Sequence, residues 1–268
     1  MIRAFLIAAL FFTITPLLIS IQWLLDKAGL PGWGTIAVRY YRVLRWALRL
    51  RVRVVGEPVR GRGVLIVSNH TSWADIVVIG ATMPVAFVAK REVAAWPLVG
   101  TAAALQRTVF VDRTRRHQTG DAVSEMATRI NENIAVVLFA EGTSSDGNRV
   151  LPFRSALVGA VKDACTQGGV AREILIQPMS ICYTGWNGIP MGRQNRPFVA
   201  WYGDLDFLPH ISAFIKGGAA DAVLTFGTPI TADGTTDRKG ATKTLENDVR
   251  QLTATALRGR PLSAQAAE

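Results

Sequence analysis

A long apolar segment near the N-terminus limits the folds open to this chain. Residues 4–25, AFLIAALFFTITPLLISIQWLL, carry no charged side chain. A helix of this length is long enough to enter or cross a bilayer at about 1.5 Å per residue, and Pro16 is expected to kink it. Only Arg3 precedes the segment as a charge, and no small-residue cleavage site follows it. We therefore predict an uncleaved membrane anchor, with a cleaved signal peptide as the alternative.

A basic segment follows the apolar one. Arg39, Arg42, Arg45 and Arg49 are spaced three, three and four residues apart, so they share one face of a helix. Apolar and aromatic residues fill most of the remaining positions. The pattern predicts an interfacial helix with its arginines at the lipid headgroups, which places the rest of the chain on the cytoplasmic side of the membrane. The alternative is a core helix with a solvated basic face.

Composition favours a membrane surface over nucleic acid as the anionic partner. The chain has 30 Lys and Arg against 20 Asp and Glu, a net charge of +10. Its mean hydropathy of +0.23 is high for a nucleic-acid-binding protein. Because the arginines lie beside the apolar segment and no groove-reading motif is present, we predict an anionic membrane surface as partner and no nucleic acid.

The cysteines predict neither a disulfide framework nor a metal site. Cys165 and Cys182 are flanked by no second cysteine pair and no histidine cluster. Structural zinc sites and disulfide scaffolds both need such groupings. We therefore expect buried, reduced thiols.

From about residue 51, short apolar runs alternate with longer amphipathic ones. Strands are predicted near 51–55, 64–68, 85–89, 108–111, 135–139, 174–181, 198–202 and 222–226, and helices near 72–82, 94–104, 115–132, 155–166, 208–216 and 241–258. This alternation predicts an α/β fold with a mixed, largely parallel sheet flanked by helices. The predicted regions are a membrane anchor with its basic helix at 1–50, an α/β domain at 51–258 and a flexible tail at 259–268.

Three loops after predicted strands carry clusters of polar residues. They are SNHTSWAD (68–75), DRTRR (112–116) and AEGTSSDGNRVLPFR (140–154). Ligands of α/β proteins usually bind at the carboxyl ends of strands, where such loops lead into helices. We therefore expect these three loops to form the functional site.

The first loop contains a candidate general base. His70 follows an apolar strand, and Asp75 lies in the predicted first turn of the next helix, for which Thr71 or Ser72 is the expected N-cap. A carboxylate that orients an imidazole leaves the other ring nitrogen free to accept a proton. The alternative is a helix cap without chemistry. Because no G-x-S-x-G motif is present, a His–Asp pair here suggests activation of a hydroxyl on the substrate.

Four motifs in order between residues 69 and 178 resemble those of the glycerolipid acyltransferase family, the membrane enzymes related to lysophosphatidic acid acyltransferase. The first is N-H-x-x-x-x-D, the second is AKREVAAWPLVGTAAALQRTVFVDR, the third is FAEGTSS in place of F-P-E-G-T-R-S, and the fourth is a strand, ILIQP, that ends in proline. The matching residues are Asn69, His70, Asp75, Lys90, Pro97, Gly100, Arg113, Phe139, Glu141, Gly142, Thr143, Ser145 and Pro178. The membrane-associated N-terminal helix pair is also similar to that of the family.

The resemblance implies acyl transfer from a thioester of CoA or acyl carrier protein to the hydroxyl of a lysolipid. His70 would take the hydroxyl proton and Asp75 would orient His70, with no covalent acyl-enzyme, no metal and no cofactor other than the thioester co-substrate. Substrate binding would fall to Asn69, Lys90, Arg113 and the Glu141–Thr143 loop. The implied location is the inner (cytoplasmic) membrane of a bacterium, with residues 51–258 as the acyltransferase domain on the cytoplasmic side.

Two departures from the third motif concern the acceptor. Ala140 replaces its proline and Ser144 replaces its arginine, a residue that could grip a phosphate. The segment EGTSSDGNRVLPFRSAL resembles bacterial lyso-ornithine lipid acyltransferases, whose acceptor carries an ammonium and a carboxylate. We therefore expect Asp146 or Glu141 to pair with that ammonium.

Two alternative functions remain open. One is lysophosphatidic acid, held by Arg113, Arg149 and Arg154. The other is a catalytically silent lipid-binding membrane protein.

Overall fold

The fold was analysed in a computed structural model, which describes residues 2–30, 32–112, 116–155, 173–233 and 235–259. The α-helices are α1 (Ile2–Lys27), α2 (Trp33–Ala47), α3 (Ala74–Gly80), α4 (Val99–Leu105), α5 (Arg116–Asn131), α6 (Phe207–Gly217) and α7 (Arg238–Leu257). The strands are β1 (Leu50–Val55), β2 (Val64–Ser68), β3 (Ala86–Lys90), β4 (Val109–Val111), β5 (Ala135–Phe139), β6 (Ile174–Trp186), β7 (Ile189–Pro190), β8 (Ala220–Phe226) and β9 (Ile230–Ala232). Two 3-10 turns cover Arg91–Ala95 and Arg196–Phe198.

The strands form one mixed sheet in the order β1-β8-β6-β2-β5-β3-β4. β2 pairs in parallel with β5 and β6, whereas β6 pairs antiparallel with β7, β8 and β9. All five residues of β2 and of β5 are buried, as expected for central strands covered by helices on both faces. Two apolar clusters, one on each face of the sheet, make up most of the core. The predicted α/β architecture is confirmed.

The N-terminal helices pack on the body of the protein yet leave much apolar surface exposed. α1 is continuous across Pro16 and is long and apolar enough to cross a membrane. Seven of its large apolar side chains, including Phe5 and Phe12, are exposed. Gln22 Nε2 donates to the carbonyl of Leu105 at 2.7 Å, which fixes α1 against α4.

The basic helix is shorter than predicted. α2 ends at Ala47, and Arg49 lies beyond it with a φ of 55°. Arg49 therefore does not share the helical face of Arg39, Arg42 and Arg45, which corrects the prediction. Trp46 on α2 is 79% exposed, more than a helix of the protein core would leave uncovered.

Proline accounts for two wrong secondary-structure predictions. The predicted strand at 198–202 is absent, because Pro197 favours the 3-10 turn Arg196–Phe198, which takes up the first residue of that stretch. The predicted helix at 94–104 is divided, because the chain is extended at Trp96, just before Pro97, and resumes as α4 at Val99. β7 and β9 were not predicted, and β6 continues to Trp186, past the predicted end at residue 181.

Several predictions fall outside the described residues. They are Arg113, Cys165, most of the helix predicted at 155–166 and all but the first residue of the tail at 259–268. Cys182, by contrast, is a buried free thiol, as expected.

Candidate active site

The candidate site lies where β2 and β5 end side by side. Ser68, the last residue of β2, is in register with Phe139, the last residue of β5, so the loops that follow begin together. β6 is also parallel to β2 but extends beyond this edge, because Ser68 aligns with Met179 and β6 runs on to Trp186. The site is therefore built from two loops and the projecting end of a third strand.

His70 and Asp75 form the pair that their spacing predicts. Nδ1 of His70 lies 2.8 Å from Oδ2 of Asp75. The Asp75 side chain is fully buried, whereas the His70 side chain is 20% exposed. Since a carboxylate can only accept, Nδ1 carries the hydrogen and Nε2 is the nitrogen able to take a proton.

Three further donors fix the Asp75 carboxylate. Oδ2 accepts the backbone N–H groups of Thr71 at 2.7 Å and Ser72 at 3.0 Å, and Oδ1 accepts the Tyr183 hydroxyl at 2.8 Å. Burial and the Asp75 charge raise the pKa of Tyr183 well above its usual value, so the phenol stays protonated and donates. Together with His70, four groups donate to a carboxylate with no exposed surface.

The predicted capping by Thr71 or Ser72 is wrong. The N-cap of α3 is Trp73, with no capping side chain. The carboxylate of Asp75, inside the helix, instead accepts the backbone N–H groups of Thr71 and Ser72 in the preceding loop. The same carboxylate thereby serves both the helix start and the histidine.

The loop after β5 holds His70 by its backbone. Oε1 of Glu141 accepts the His70 N–H at 3.0 Å, and the Ser145 N–H donates to the His70 carbonyl at 2.9 Å. The imidazole also stacks on Phe139, with ring centroids 4.0 Å apart. The first and third sequence motifs are thus joined through one residue, and the ring is left little freedom to turn.

Glu141 is buried in a state that favours its neutral form. Burial raises the pKa of this carboxyl to about 8, against the opposing effect of the amides of His70 and Leu151. Among the described residues, its buried Oε2 atom has no hydrogen-bond partner. A protonated carboxyl is a poor partner for an ammonium, so of the two residues predicted to pair with one, the geometry favours Asp146.

Asn69 positions the loop rather than presenting a free amide to a substrate. Its Nδ2 donates to the carbonyl of Ile181 and its Oδ1 accepts the N–H of Ile181, both at 2.9 Å. Its side chain is buried against β6. Both polar ends of the side chain bond to backbone, and the predicted part of Asn69 in substrate binding stays a prediction.

The remaining predicted residues fall into two groups. Gly142, with a φ of 71°, Thr143 and Asp146 lie in the loop that holds His70, and Thr143 is exposed. A Cβ added to Gly142 would lie 2.7 Å from Nε of Arg154, so this glycine leaves room for that arginine. Lys90 is exposed at the end of β3, and no contact of the described residues joins it to His70. Arg113 lies outside the described residues.

Ser144, which stands at the arginine position of the third motif, binds a crossing segment. Its hydroxyl donates to the carbonyl of Trp201 at 2.5 Å. The N–H of Trp201 donates in turn to the carbonyl of Thr71 at 2.9 Å. The chain between β7 and α6 is thereby tied to both active-site loops.

Sequence reasoning missed Tyr183 and the crossing segment. Tyr183 follows Ile181 and Met179 at alternate, buried positions of β6, a pattern that an extended strand prediction would have included. The crossing segment was predicted to contain a strand at 198–202, and only its tertiary hydrogen bonds to Ser144 and Thr71 reveal where it lies.

Several known proteins are similar to this chain. A family model described as Acyltransferase matches residues 51–182. The chain is 45% identical to the lyso-ornithine lipid O-acyltransferase of Brucella abortus over 97% of both chains. It is 37% identical to that of Rhizobium meliloti, over 100% of this chain and 91% of the relative.

A solved structure has the same fold. The crystal structure of the 1-acyl-sn-glycerophosphate (LPA) acyltransferase PlsC from Thermotoga maritima matches with a TM-score of 0.65 at 19% identity, over 100% of this chain and 96% of the other.

Proposed function

This chain belongs to the acyltransferase family and acts on lysolipids, and we propose that its acceptor is lyso-ornithine lipid, which it converts to ornithine lipid. The observation that carries the chemistry is the 2.8 Å contact of His70 Nδ1 with the buried Asp75 carboxylate. The observation that favours the acceptor is the similarity, over nearly the full length, to two enzymes of that name.

His70 acts as the general base in this proposal. Its Nε2 takes the proton of the acceptor hydroxyl while Asp75 stabilises the imidazolium that forms. The acceptor oxygen forms a bond to the thioester carbonyl carbon, and the C–S bond then breaks. The leaving thiolate takes the proton from His70, so the products are an ester and a free thiol, with the histidine restored.

The charges of the lyso-ornithine lipid headgroup match those of the loop at residues 140–154, which we call the acceptor loop. The lipid carries an ammonium and a carboxylate but no phosphate, and its free 3-hydroxyl receives the acyl chain. Asp146 is half-buried, and its carboxylate accepts from the N–H and the side-chain amide of Asn148 at 3.0 and 3.2 Å. A carboxylate retains lone pairs beyond these two contacts, so Asp146 is the proposed partner of the ammonium.

Lysophosphatidic acid is the second candidate acceptor. Arg149 and Arg154 are exposed near the same loop, and the Arg154 side chain lies against Gly142. Two guanidinium groups could hold a phosphate there. Over 112 residues the chain is 34% identical to the 1-acyl-sn-glycerol-3-phosphate acyltransferase of Neisseria gonorrhoeae.

The membrane and the acyl donor complete the proposal. The exposed apolar side chains of α1 and the arginines of α2 favour anchoring at an anionic membrane surface. We place the catalytic domain on the cytoplasmic side of a bacterial inner membrane, where thioesters of acyl carrier protein and CoA are available. The basic surface suits either donor.

A side-by-side assay tests the acceptor. Membranes containing the protein are offered lyso-ornithine lipid and lysophosphatidic acid with the same acyl thioester, and His70→Ala membranes serve as control. We expect acylation of the aminolipid that the control lacks. Preference for lysophosphatidic acid would overturn the acceptor but leave the chemistry standing. An Asp146→Asn variant with unchanged KM for lyso-ornithine lipid would remove Asp146 from recognition.

A further inference from the structure

Arg196 lies at the edge of the site, in the crossing segment that sequence reasoning missed. We infer that Arg196 is a specificity-determining residue that binds the carboxylate of a zwitterionic acceptor headgroup. The inference rests on the proposed function, because it assumes an acceptor with both an ammonium and a carboxylate.

Arg196 contacts the loop after β5, the loop that holds His70. Its Nη1 donates to Oδ1 of Asn148 at 3.1 Å. A Cβ added to Gly147, whose φ is 76°, would lie 3.8 Å from the Arg196 Cβ and 3.1 Å from Cγ2 of Thr71. Thr71 follows His70 directly and gives its N–H to Asp75. Arg196 therefore borders the loop residues that surround the His–Asp pair.

The guanidinium of Arg196 has donors to spare. None of the ion pairs among the described residues includes Arg196. Its Nε is buried and has no hydrogen-bond partner in that part of the chain. Buried donors without partners are rare, and each one calls for an explanation such as a ligand. A carboxylate satisfies a guanidinium by two parallel hydrogen bonds, which Lys cannot reproduce.

Asn148 bridges the oppositely charged side chains of Asp146 and Arg196. Its N–H and Nδ2 donate to the Asp146 carboxylate, while its Oδ1 accepts from Arg196. A headgroup with an ammonium and a carboxylate matches this arrangement of charges. A phosphate headgroup would also attract Arg196, but Asp146 would repel its negative charge.

A carboxyl-blocked acceptor tests the inference. The full-length protein in phosphatidylcholine vesicles is assayed with lyso-ornithine lipid and with its carboxyl methyl ester, which keeps the ammonium and the reacting hydroxyl. We expect wild type to prefer the free acid in kcat/KM by roughly 10- to 100-fold, the range for one hydrogen bond between charged groups. Arg196→Gln should lose this preference, mainly through a higher KM for the free acid.

Matched variants complete the test. Arg193→Gln removes an exposed arginine of the same segment and should keep the preference of wild type. Arg196→Lys keeps the charge without the bidentate geometry and should retain only part of it. A wild-type enzyme that acylates acid and ester equally overturns the inference without any variant. An Arg196→Gln enzyme that still prefers the acid, or loses both activities equally, also overturns it. Failure of wild type to acylate lyso-ornithine lipid would instead refute the proposed function.

Discussion

The His70–Asp75 pair and the loop around Asp146 and Arg196 lie next to each other but differ in how completely their polar atoms are satisfied. Asp75 accepts four hydrogen bonds and has no exposed surface. Next to it, Nε of Arg196 is buried without a hydrogen-bond partner among the residues that the structure describes. The groups for proton transfer are therefore organised before substrate binds, whereas the groups for recognition keep capacity that a headgroup could fill.

Removal of the general base should have the largest effect on the His70–Asp75 pair. We expect His70→Ala to lower kcat by about 10³-fold, within the range for a positioned general base, and to do so for every acceptor. His210→Gln is the matched histidine control, because His210 lies on α6 and accepts from Trp73 Nε1. Comparable loss in both variants would show that the effect is not specific to His70.

The buried carboxyl of Glu141 should make the free energy of unfolding depend on pH. Below pH 4.5 this carboxyl is neutral in the folded and unfolded chains, whereas between pH 4.5 and about 8 it ionises only when the chain unfolds, because burial raises its folded pKa. The free energy of unfolding of wild type should therefore fall through this window, by up to about 1.4 kcal/mol per pH unit.

Glu141→Gln keeps an acceptor for the His70 N–H but cannot ionise. Its stability advantage over wild type should grow from pH 5 to 8, and its activity at pH 7 should stay close to that of wild type. Denaturant unfolding in detergent across this range measures the effect. If the free energy of unfolding changes with pH in the same way in both proteins, Glu141 is ionised in the folded chain.

Tyr183→Phe removes one of the four donors to Asp75. We expect kcat to fall about 10-fold, since a hydrogen bond to a charged group contributes about 1.5–3 kcal/mol, with the ratio of activities on two acceptors unchanged. Steady-state kinetics on both acceptors check this. An altered ratio would mean that Tyr183 contacts the headgroup.

Ser144→Ala should have the smallest effect. It removes the hydroxyl that donates to Trp201, so the free energy of unfolding should fall by about 1 kcal/mol. Catalysis should change little, because the Trp201 N–H still donates to Thr71. Thermal unfolding with an activity assay measures both, and a large loss of activity would show that this tie positions the catalytic loop.

The His70–Asp75 pair could be predicted from sequence because the two residues are close together in the chain. His70 and Asp75 lie five residues apart, and a helix that starts after a strand brings them together. Tyr183 could not be predicted, since its position depends on the register that aligns Ser68 with Met179 and carries β6 past the end of β2.

The position of Arg196 was harder to predict for a different reason. Arg196 begins a single 3-10 turn in the segment between β7 and α6, and long-range contacts such as Trp201 with Thr71 decide where that segment runs. The predicted strand at 198–202 failed for a related reason, because Val199 and Ala200 are buried by tertiary packing and not by strand pairing, whereas Phe198 is 70% exposed.

The most direct test of this division is the ratio of kcat/KM for lyso-ornithine lipid and lysophosphatidic acid in wild type, Asp75→Asn and Arg196→Gln. Asp75→Asn should lower both values together and leave the ratio unchanged, because Asp75 acts through His70. Arg196→Gln should lower the value for the aminolipid and shift the ratio. If Asp75→Asn shifts the ratio, or Arg196→Gln lowers both values equally, catalysis and recognition are not divided between these two regions.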